Sequence, residues 1–439
     1  MPAQPQLVPP DAAPDQGAEH SMPVRGEERH PRALGARVAG LRQRGHHVRS
    51  SFVTTLIPHA HPFAARMASC LPITGGMAVP HLASELRGGV VVLTPRLPEG
   101  TTATSQERAL RSLLDEWLHG HAIDRPVLWY YTPMALSWTA HIPAAAVVYD
   151  CMDHLAGFRG APHGVLDQEA RLIARADLLF TGGARLHELK RQDHQDAHCF
   201  PSSVDADHFR TARRQQADPA DQASLPRPRI GYAGVIDERI DMSLIDALAV
   251  AEPDWSVVLL GPVVKIDPAD IPARHSVRTL GMKDYRDLPA YLAGWDLAIM
   301  PFAHNEATAY ISPTKTPEYL AAGVPVASTS IRDVVQPYGL EGLVEIGDGP
   351  EGFVAACRRA IQTDRSRLGE RVDRFLATRS WDLTWAAIDG LLAGVVRRRR
   401  PIAATRIGHA GPPSLVPGSV AHRSSVTAPI GAAGRSVED

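Results

Sequence analysis

Residues 305–330 read NEATAYISPTKTPEYLAAGVPVASTS, and they describe a polar loop, a short helix, a tight turn at Gly323 and a buried apolar strand. The loop comes directly after another apolar run, so the order of elements is strand, loop, helix, turn and strand. This order is typical of α/β proteins, in which helices cover the faces of a parallel sheet.

The helix in this stretch carries one carboxylate, Glu318, close to its start. A carboxylate there, just above the edge of a sheet, can accept hydrogen bonds from the two hydroxyls of a ribose. The first amides of a helix have no partner inside the helix, so they can bind a phosphate beside it. The alternative interpretation of Glu318 is a solvated side chain on an amphipathic helix.

The same alternation extends along most of the chain. The apolar runs are nearly continuous, which predicts parallel strands buried on both faces, at 89–95, 126–132, 144–150, 177–181, 229–234, 256–261, 296–301 and 324–329. Apolar residues at three- and four-residue spacing predict helices between them, at 106–118, 164–175, 284–293 and 351–363. The predicted fold class is therefore α/β, with two doubly wound, Rossmann-like domains that face each other across a cleft.

Composition sets the expected domain limits. Residues 1–28 and 401–439 are rich in small and helix-breaking residues without periodicity, which predicts disorder. A first domain is expected at 29–210, a second at 229–380, and a last helix at 381–400, with a Pro-, Gln- and Asp-rich linker at 211–228. The first domain opens with a predicted helix at 30–48, and no apolar strand precedes that helix.

Composition also excludes several classes of protein. The 439 residues are 44% hydrophobic with a formal charge of −2, so a sizeable core is expected and no basic surface for nucleic acid. The four cysteines are far apart and form no C-x-x-C pair, which argues against disulfides and zinc and favours a reducing cytoplasm. No apolar run reaches the roughly 18 residues that span a bilayer, and the first residues lack a signal-peptide pattern.

Five motifs in a fixed order carry a resemblance to a known family. They are FPSSVDADHF (200–209), RIGYAGVID (229–237), DWSVVLLGP (254–262), LGMKDYRDLPAYLAGWDLAIMPF (280–302) and SPTKTPEYLAAGVPVAST (312–329). From about residue 89 to 396, the chain resembles bacterial members of the family-4-like (group 1) glycosyltransferases with the GT-B fold. The resemblance implies an acceptor-side first domain and a second domain that binds a nucleotide-diphosphate sugar.

Several residues of the second domain take their expected role from this resemblance. Glu318 matches the second carboxylate of the family's paired-Glu motif, which binds the ribose, whereas the first carboxylate position holds Tyr310. Many relatives carry an Arg and a Lys after the glycine at 234, but this chain has Val235 and Ile240 there, which leaves Arg239 and Lys315 for the diphosphate. The residues expected to contact the donor are Gly234, Arg239, Gly261, Gly281, Met282, Ser312, Thr314, Lys315 and Glu318.

The acceptor side is expected at the end of the strand 144–150. Asp150 ends this strand, and Asp153 follows with His154 beside it. Two carboxylates there are candidate catalytic residues, because they could orient an acceptor hydroxyl or the transferring sugar; the alternative is an N-cap pair on the next helix. No metal or other cofactor is expected, since the chemistry of the resembling family does not need one.

The resemblance implies a hexosyltransferase-type enzyme that acts in surface polysaccharide biosynthesis and transfers the sugar with retention of its anomeric configuration. Its expected partners are a nucleotide sugar and a glycan or lipid-linked acceptor. Four arginines at 397–400 are a candidate for peripheral contact with anionic lipid head groups at the inner face of the membrane. Two alternatives stay open: a nonhydrolysing sugar-nucleotide epimerase, and a degenerate module that binds a nucleotide sugar without turnover.

Overall fold

The computed structural model describes residues 54–58, 64–67, 73–75, 79–87, 90–214 and 216–399. The segments 1–28 and 401–439, predicted to be disordered, and the predicted helix at 30–48 lie outside these residues. Within the described part, two sheets form the centres of two α/β domains, as predicted.

The first domain is built on a nine-stranded sheet, in the order β3-β5-β2-β1-β6-β7-β8-β9, with β4 paired to β5. The strands are β1 Thr54–Pro58, β2 Ala64–Met67, β3 Ile73–Gly75, β4 His81–Arg87, β5 Val90–Pro98, β6 Pro126–Tyr130, β7 Ala146–Cys151, β8 Leu178–Thr181 and β9 Ala197–Cys199. Strands β6 to β9 run parallel to one another, and these include three of the four apolar runs predicted in this domain.

The first sheet also contains antiparallel pairs, which were not predicted. Strand β1 runs antiparallel to both β2 and β6, and β4 runs antiparallel to β5. Strands β1 to β4 were not predicted, because they are short runs without sustained apolar character. Strand β1 pairs with β6, which lies some 70 residues further along the chain, so a long-range contact rather than local sequence specifies it.

Four helices pack on one face of the first sheet. They are α1 Ala103–Gly120, α2 Leu136–Thr139, α3 Val165–Arg175 and α4 Ala184–Lys190. Strand β7 alternates between two cores: Val147, Tyr149 and Cys151 face one hydrophobic cluster, and Val148 faces the other. That second cluster is completed by the last helix of the chain, α13 Trp381–Arg399, which therefore returns to pack on the first domain.

The second domain has a six-stranded, fully parallel sheet in the order β12-β11-β10-β13-β14-β15. The strands are β10 Arg229–Ala233, β11 Ser256–Leu260, β12 Val277–Gly281, β13 Leu297–Met300, β14 Val326–Ser328 and β15 Glu345–Ile346. Strand order reverses between β10 and β13. A crevice opens at such a point beyond the carboxyl ends of the strands, and ligands of open α/β sheets bind there.

The remaining helices are α5 Ala206–Arg210, α6 Ala220–Ala223, α7 Met242–Ala251, α8 Leu288–Ala293, α9 Lys315–Ala321, α10 Arg332–Val334, α11 Gly349–Ile361 and α12 Arg365–Leu376. The predicted linker, 211–228, contains α6 and packs on the second domain. There the buried Gln222 side chain bonds Trp295 Nε1 and the Tyr291 carbonyl. Among the described helices, none is long and apolar enough to cross a bilayer.

Candidate functional site

Three glycines predicted to contact the donor lie together at the carboxyl ends of β10, β11 and β12. The Gly234 N–H donates to the Leu260 carbonyl at 2.9 Å, and the Gly261 N–H donates to the Gly281 carbonyl at 2.9 Å. Gly261 has φ +141°, and a Cβ there would lie 1.8 Å from the Gly234 oxygen. The two loops approach too closely for any side chain, so they present bare backbone to the cleft.

Helix α9 is fixed beside this glycine cluster by Tyr319. Its buried hydroxyl accepts from the Ala233 N–H at 2.7 Å and donates to the Ala233 carbonyl at 3.1 Å. Ala233 directly precedes Gly234, so these two bonds hold α9 against the end of β10. The structure therefore brings Lys315 and Glu318, at the start of α9, to the same edge of the sheet as the glycines.

Lys315 and Glu318 form an ion pair on α9. Lys315 Nζ lies 2.7 Å from Glu318 Oε2, and the two side chains are only 14% and 10% exposed. Both residues are within reach of one ligand, since they lie one helical turn apart on the same face. Helix α9 has seven residues, so we assign no role to its first amides.

The other predicted donor contacts are spread around this edge. Thr314 precedes α9 without a capping hydrogen bond from its side chain, and Ser312 lies against Gly183 of the first domain. Met282 follows the Gly281 turn and is 69% exposed, so its side chain is accessible beside the glycine cluster.

Arg239 reaches the cleft, but its side chain is held by a neighbour that the sequence did not single out. The buried Asp237 carboxylate accepts from Arg239 Nε at 2.9 Å and from Nη2 at 2.8 Å. Burial lowers the pKa of the guanidinium, but the hydrogen bonds and charge of Asp237 outweigh burial and raise that pKa overall. Asp237 thus orients a permanent positive charge at the domain interface. Its position two residues before Arg239 is the sequence feature that could have indicated this role.

Asp153 and Phe158, on the first domain, face Arg239. The Arg239 guanidinium carbon lies 5.8 Å from the centre of the Phe158 ring, a cation–π contact across the cleft. Burial raises the pKa of Asp153, and the positive charge of Arg239 acts in the opposite direction. Nothing in the sequence pattern indicated Phe158, because its role depends on how the two domains meet.

Asp150, by contrast, is not brought to the cleft. Its side chain is fully buried and accepts a hydrogen bond from Trp129 Nε1 at 3.2 Å, in the core beneath α13. Residues alternate between the two faces of β7, so Asp150 lies on the same face as Val148. This correction removes one of the two candidate catalytic carboxylates, since a buried side chain has no surface to offer an acceptor.

His154 and Tyr310 meet across the interface. Their ring centroids lie 5.0 Å apart in an edge-to-face arrangement. Burial lowers the pKa of His154, Lys190 lowers it further, and the carboxylates of Glu169 and Glu306 act against both. Tyr310, at the sequence position where the resembling family has its first carboxylate, therefore packs on the first domain.

A cavity of about 790 Å³ opens where the two domains meet. Gly157, Phe158 and Arg159 line it from the first domain, and Glu238, Met242 and Asn305 are among the residues that line it from the second. Its wall combines carboxylate, amide and apolar surface, which suits a hydroxyl-rich ligand. Within the described residues, no group of three or more His, Cys, Asp or Glu could hold a metal ion.

Comparisons with known proteins agree with this architecture. Residues 227–363 match the family described as glycosyl transferases group 1. The chain is 27% identical over 302 residues to the putative teichuronic acid biosynthesis glycosyltransferase TuaH of Bacillus subtilis (strain 168), a match that covers 64% of this chain and 75% of that protein.

Two solved structures illustrate the shared fold. Sucrose-phosphate synthase from Thermosynechococcus elongatus superposes with a TM-score of 0.56 at 14% identity, over 74% of this chain and 88% of that one. HepE from Anabaena, solved in complex with UDP and glucose, gives a TM-score of 0.52 at 15% identity, over 69% and 86%.

Proposed function

We propose that the chain is a group 1 glycosyltransferase with the GT-B fold and that it transfers a sugar from a nucleotide-diphosphate donor to a hydroxyl of a glycan or lipid-linked acceptor. The observation that carries this proposal is the position of α9. The Tyr319–Ala233 hydrogen bonds hold Lys315 and Glu318 beside the backbone of Gly234 and Gly261. A cation, a carboxylate and bare backbone at one sheet edge are what a diphosphate and a ribose require.

In this proposal the Lys315–Glu318 pair is exchanged for contacts with the donor. Glu318 accepts hydrogen bonds from the ribose hydroxyls, and Lys315 turns to the diphosphate. The pair keeps both side chains in place at the cleft before the donor arrives, so little side-chain ordering remains to be done on binding. Gly281 and Met282 then lie beside the base.

Stabilisation of the leaving diphosphate falls to Lys315 and Arg239. Negative charge grows on the diphosphate as the glycosidic bond breaks, and fixed positive charges aimed at it lower the barrier. Asp237 fixes the direction of the Arg239 side chain, so this charge needs no reorganisation during the reaction. By the family resemblance, we propose that transfer retains the anomeric configuration and requires no metal.

On the acceptor side, we assign the orienting role to Asp153 alone. It lies beside Arg239 at the interface, whereas Asp150 is buried under α13. A half-buried carboxylate there can accept a hydrogen bond from the attacking hydroxyl and position it. The cavity beside Phe158 offers room for the rest of a hydroxyl-rich acceptor.

The likeness to TuaH supports a product of the cell-surface polysaccharide class, since that protein's name refers to teichuronic acid biosynthesis. We therefore propose that the acceptor is a growing anionic or neutral glycan, free or linked to a lipid.

The test is release of nucleoside diphosphate from a panel of UDP-, GDP-, ADP- and dTDP-sugars, with short glycans and a lipid extract as acceptors. Wild type is compared with Glu318→Gln and with Glu107→Gln, an exposed glutamate on α1 that lies outside the site. We expect release from one donor together with a glycosylated product, lost in Glu318→Gln and retained in Glu107→Gln.

Two other outcomes would contradict the proposal. An isomerised nucleotide sugar without diphosphate release would indicate an epimerase. Nucleotide binding without turnover for every donor and acceptor would indicate a noncatalytic module, the alternative that Tyr310 at the first carboxylate position favours.

A further inference from the structure

A side chain of the second domain caps a helix of the first. Asp333, in α10, accepts a hydrogen bond from the Ala184 N–H through Oδ2 at 2.7 Å and one from the Arg185 N–H through Oδ1 at 3.1 Å. These are the first two residues of α4, and the residue before them, Gly183, has no side chain to cap the helix. Each carboxylate oxygen thus has its own donor across the domain boundary.

The same contact reaches the donor loop. A Cβ on Gly183 would lie 2.3 Å from Asp333 Oδ2 and 2.8 Å from the Ser312 Cβ, so only glycine fits. Ser312 comes three residues before Lys315 and the start of α9. The backbone of the first domain is therefore packed directly against the segment that carries Lys315 and Glu318.

A second, more exposed interaction joins the same two elements. Arg332 Nη2 lies 2.6 Å from Glu188 Oε1, and Arg185 Nη1 lies 3.1 Å from Glu188 Oε2. The Arg332 and Glu188 side chains are each 40% exposed, so this pair contributes less free energy than its distance suggests.

We propose that Asp333 is a positioning residue that holds the two domains in the closed arrangement, with Asp153 and Phe158 facing Arg239 and with Ser312 against α4. This inference rests on the proposed glycosyl transfer for its catalytic consequence. The contact between the domains is independent of it.

The energetics of the cap suit a contact that forms and breaks in each turnover. Asp333 is 5% exposed, and burial raises the pKa of its carboxyl while the amides of Arg185 and Ala184 act against that rise. When the domains separate, water replaces both hydrogen bonds and rehydrates the carboxylate, so the net gain from the closed contact is small. The contact therefore fixes the geometry of the closed arrangement and favours it by a modest free energy, so that the domains can still separate.

The experiment compares two carboxylate caps in the full chain. Asp333→Ala removes the interdomain cap, and Asp364→Ala removes a cap of the same type inside the second domain, where Asp364 accepts from the amides of Ser366 and Arg367. For each variant we would measure the radius of gyration by X-ray scattering, the thermal midpoint, and kcat separately from KM.

For Asp333→Ala we expect a larger radius of gyration, a kcat about 10- to 100-fold lower, and nucleotide affinity close to wild type, because misplacement of reacting groups by an ångström costs on that order. Asp364→Ala should lower the thermal midpoint and leave the other two quantities unchanged. A wild-type radius of gyration in Asp333→Ala would overturn the proposal, and that readout needs no substrate. It therefore decides the interdomain contact even if the chain transfers no sugar.

A conservative change gives a second measurement if Asp333→Ala does not fold. Asp333→Asn keeps the shape of the side chain but has one acceptor oxygen where the carboxylate has two, so either the Ala184 or the Arg185 amide loses its partner. We expect a larger radius of gyration than wild type in this variant as well, and a wild-type value would overturn the proposal.

Discussion

Lys315 Nζ and Glu318 Oε2 lie 2.7 Å apart on the first turn of α9, where the donor is proposed to bind. The pair is almost buried, so each charge depends on the other for its stability in the ligand-free protein. In the proposed complex, the donor would break this ion pair, because Lys315 would contact the diphosphate and Glu318 the ribose.

Glu318→Gln is expected to weaken binding of the matching nucleoside diphosphate about 10- to 100-fold, because a hydrogen bond to a charged group contributes about 1.5–3 kcal/mol. Titration calorimetry measures the change directly. Glu107→Gln is the matched control, since Glu107 is an exposed glutamate on α1. Unchanged affinity in Glu318→Gln would remove Glu318 from the donor site.

The thermal midpoint distinguishes the structural role of the Lys315–Glu318 pair from its proposed role in donor binding. Glu318→Gln leaves the Lys315 ammonium without its partner, so we expect a lower thermal midpoint. The double variant Lys315→Met/Glu318→Gln should regain most of that midpoint and still bind nucleotide poorly. If binding recovered together with stability, the effect of the single change would be structural only.

Gly261→Ala should destabilise the second domain by about 3 kcal/mol or prevent folding, because φ +141° is strained for alanine and its Cβ would lie 1.8 Å from the Gly234 oxygen. Denaturant unfolding checks this. Gly390→Ala is the control: Gly390 lies inside α13 with nothing within 4 Å of its Cβ position, and alanine should stabilise it by about 0.5–1 kcal/mol. Equal stability of the two variants would contradict the predicted close approach.

His154 is expected to make the protein less stable in mild acid. Burial, and then Lys190, lower its pKa from the ordinary value of 6.5. A histidine with a depressed folded pKa contributes stability that is present above pH 6.5 and is lost as the pH falls through the folded pKa. The free energy of unfolding of His154→Gln should therefore fall less steeply than that of wild type below pH 6.5. Parallel pH curves would show that His154 does not carry this effect.

The buried ion pair Glu169–Lys190, whose charges act on His154, should contribute to the free energy of unfolding as a coupled pair. Lys190 Nζ lies 2.6 Å from Glu169 Oε2 with both side chains 7% exposed, and the Tyr149 hydroxyl donates to Glu169 Oε1 at 2.8 Å. Lys190→Met is expected to cost about 3–5 kcal/mol, since it leaves a buried carboxylate unpaired.

Glu169→Met/Lys190→Met should cost less than the single change, with about 1–3 kcal/mol remaining for the unpaired Tyr149 hydroxyl. Urea denaturation of the two single variants and the double variant gives the coupling free energy. Additive costs would mean that the two charges do not interact.

Much of the second domain could be predicted from its sequence. The runs around Ile230, Val258 and Ala298 are apolar except for Arg229 and Ser256 at the starts of two strands, because a parallel strand with helices on both faces has no solvent-facing side. Strands β1 to β4 could not be predicted in the same way. Strand β1 has five residues and pairs with β6, which lies some 70 positions later. Strand β4 forms a local hairpin with β5, but its residues HLASELR lack the apolar run by which the other strands were recognised.

The residues of the candidate site also differ in whether the sequence could indicate them. Gly261, Lys315 and Glu318 follow from local pattern and family resemblance, since each belongs to a loop or helix start next to a strand end. Asp150 was misplaced because the sequence does not say which face of β7 it occupies. That face is decided by α13, whose residues come more than 200 positions later.

The sequence by itself determined the α/β class, the order of most strands and helices, and the edge of the second sheet where Gly261 and Glu318 lie, because periodicity and turn residues act over short distances. Only the tertiary structure decided that Asp153 rather than Asp150 reaches the cleft, and that Asp333 caps α4. These relationships join residues that are far apart in the chain, and their partners are chosen by packing and desolvation when the two domains meet.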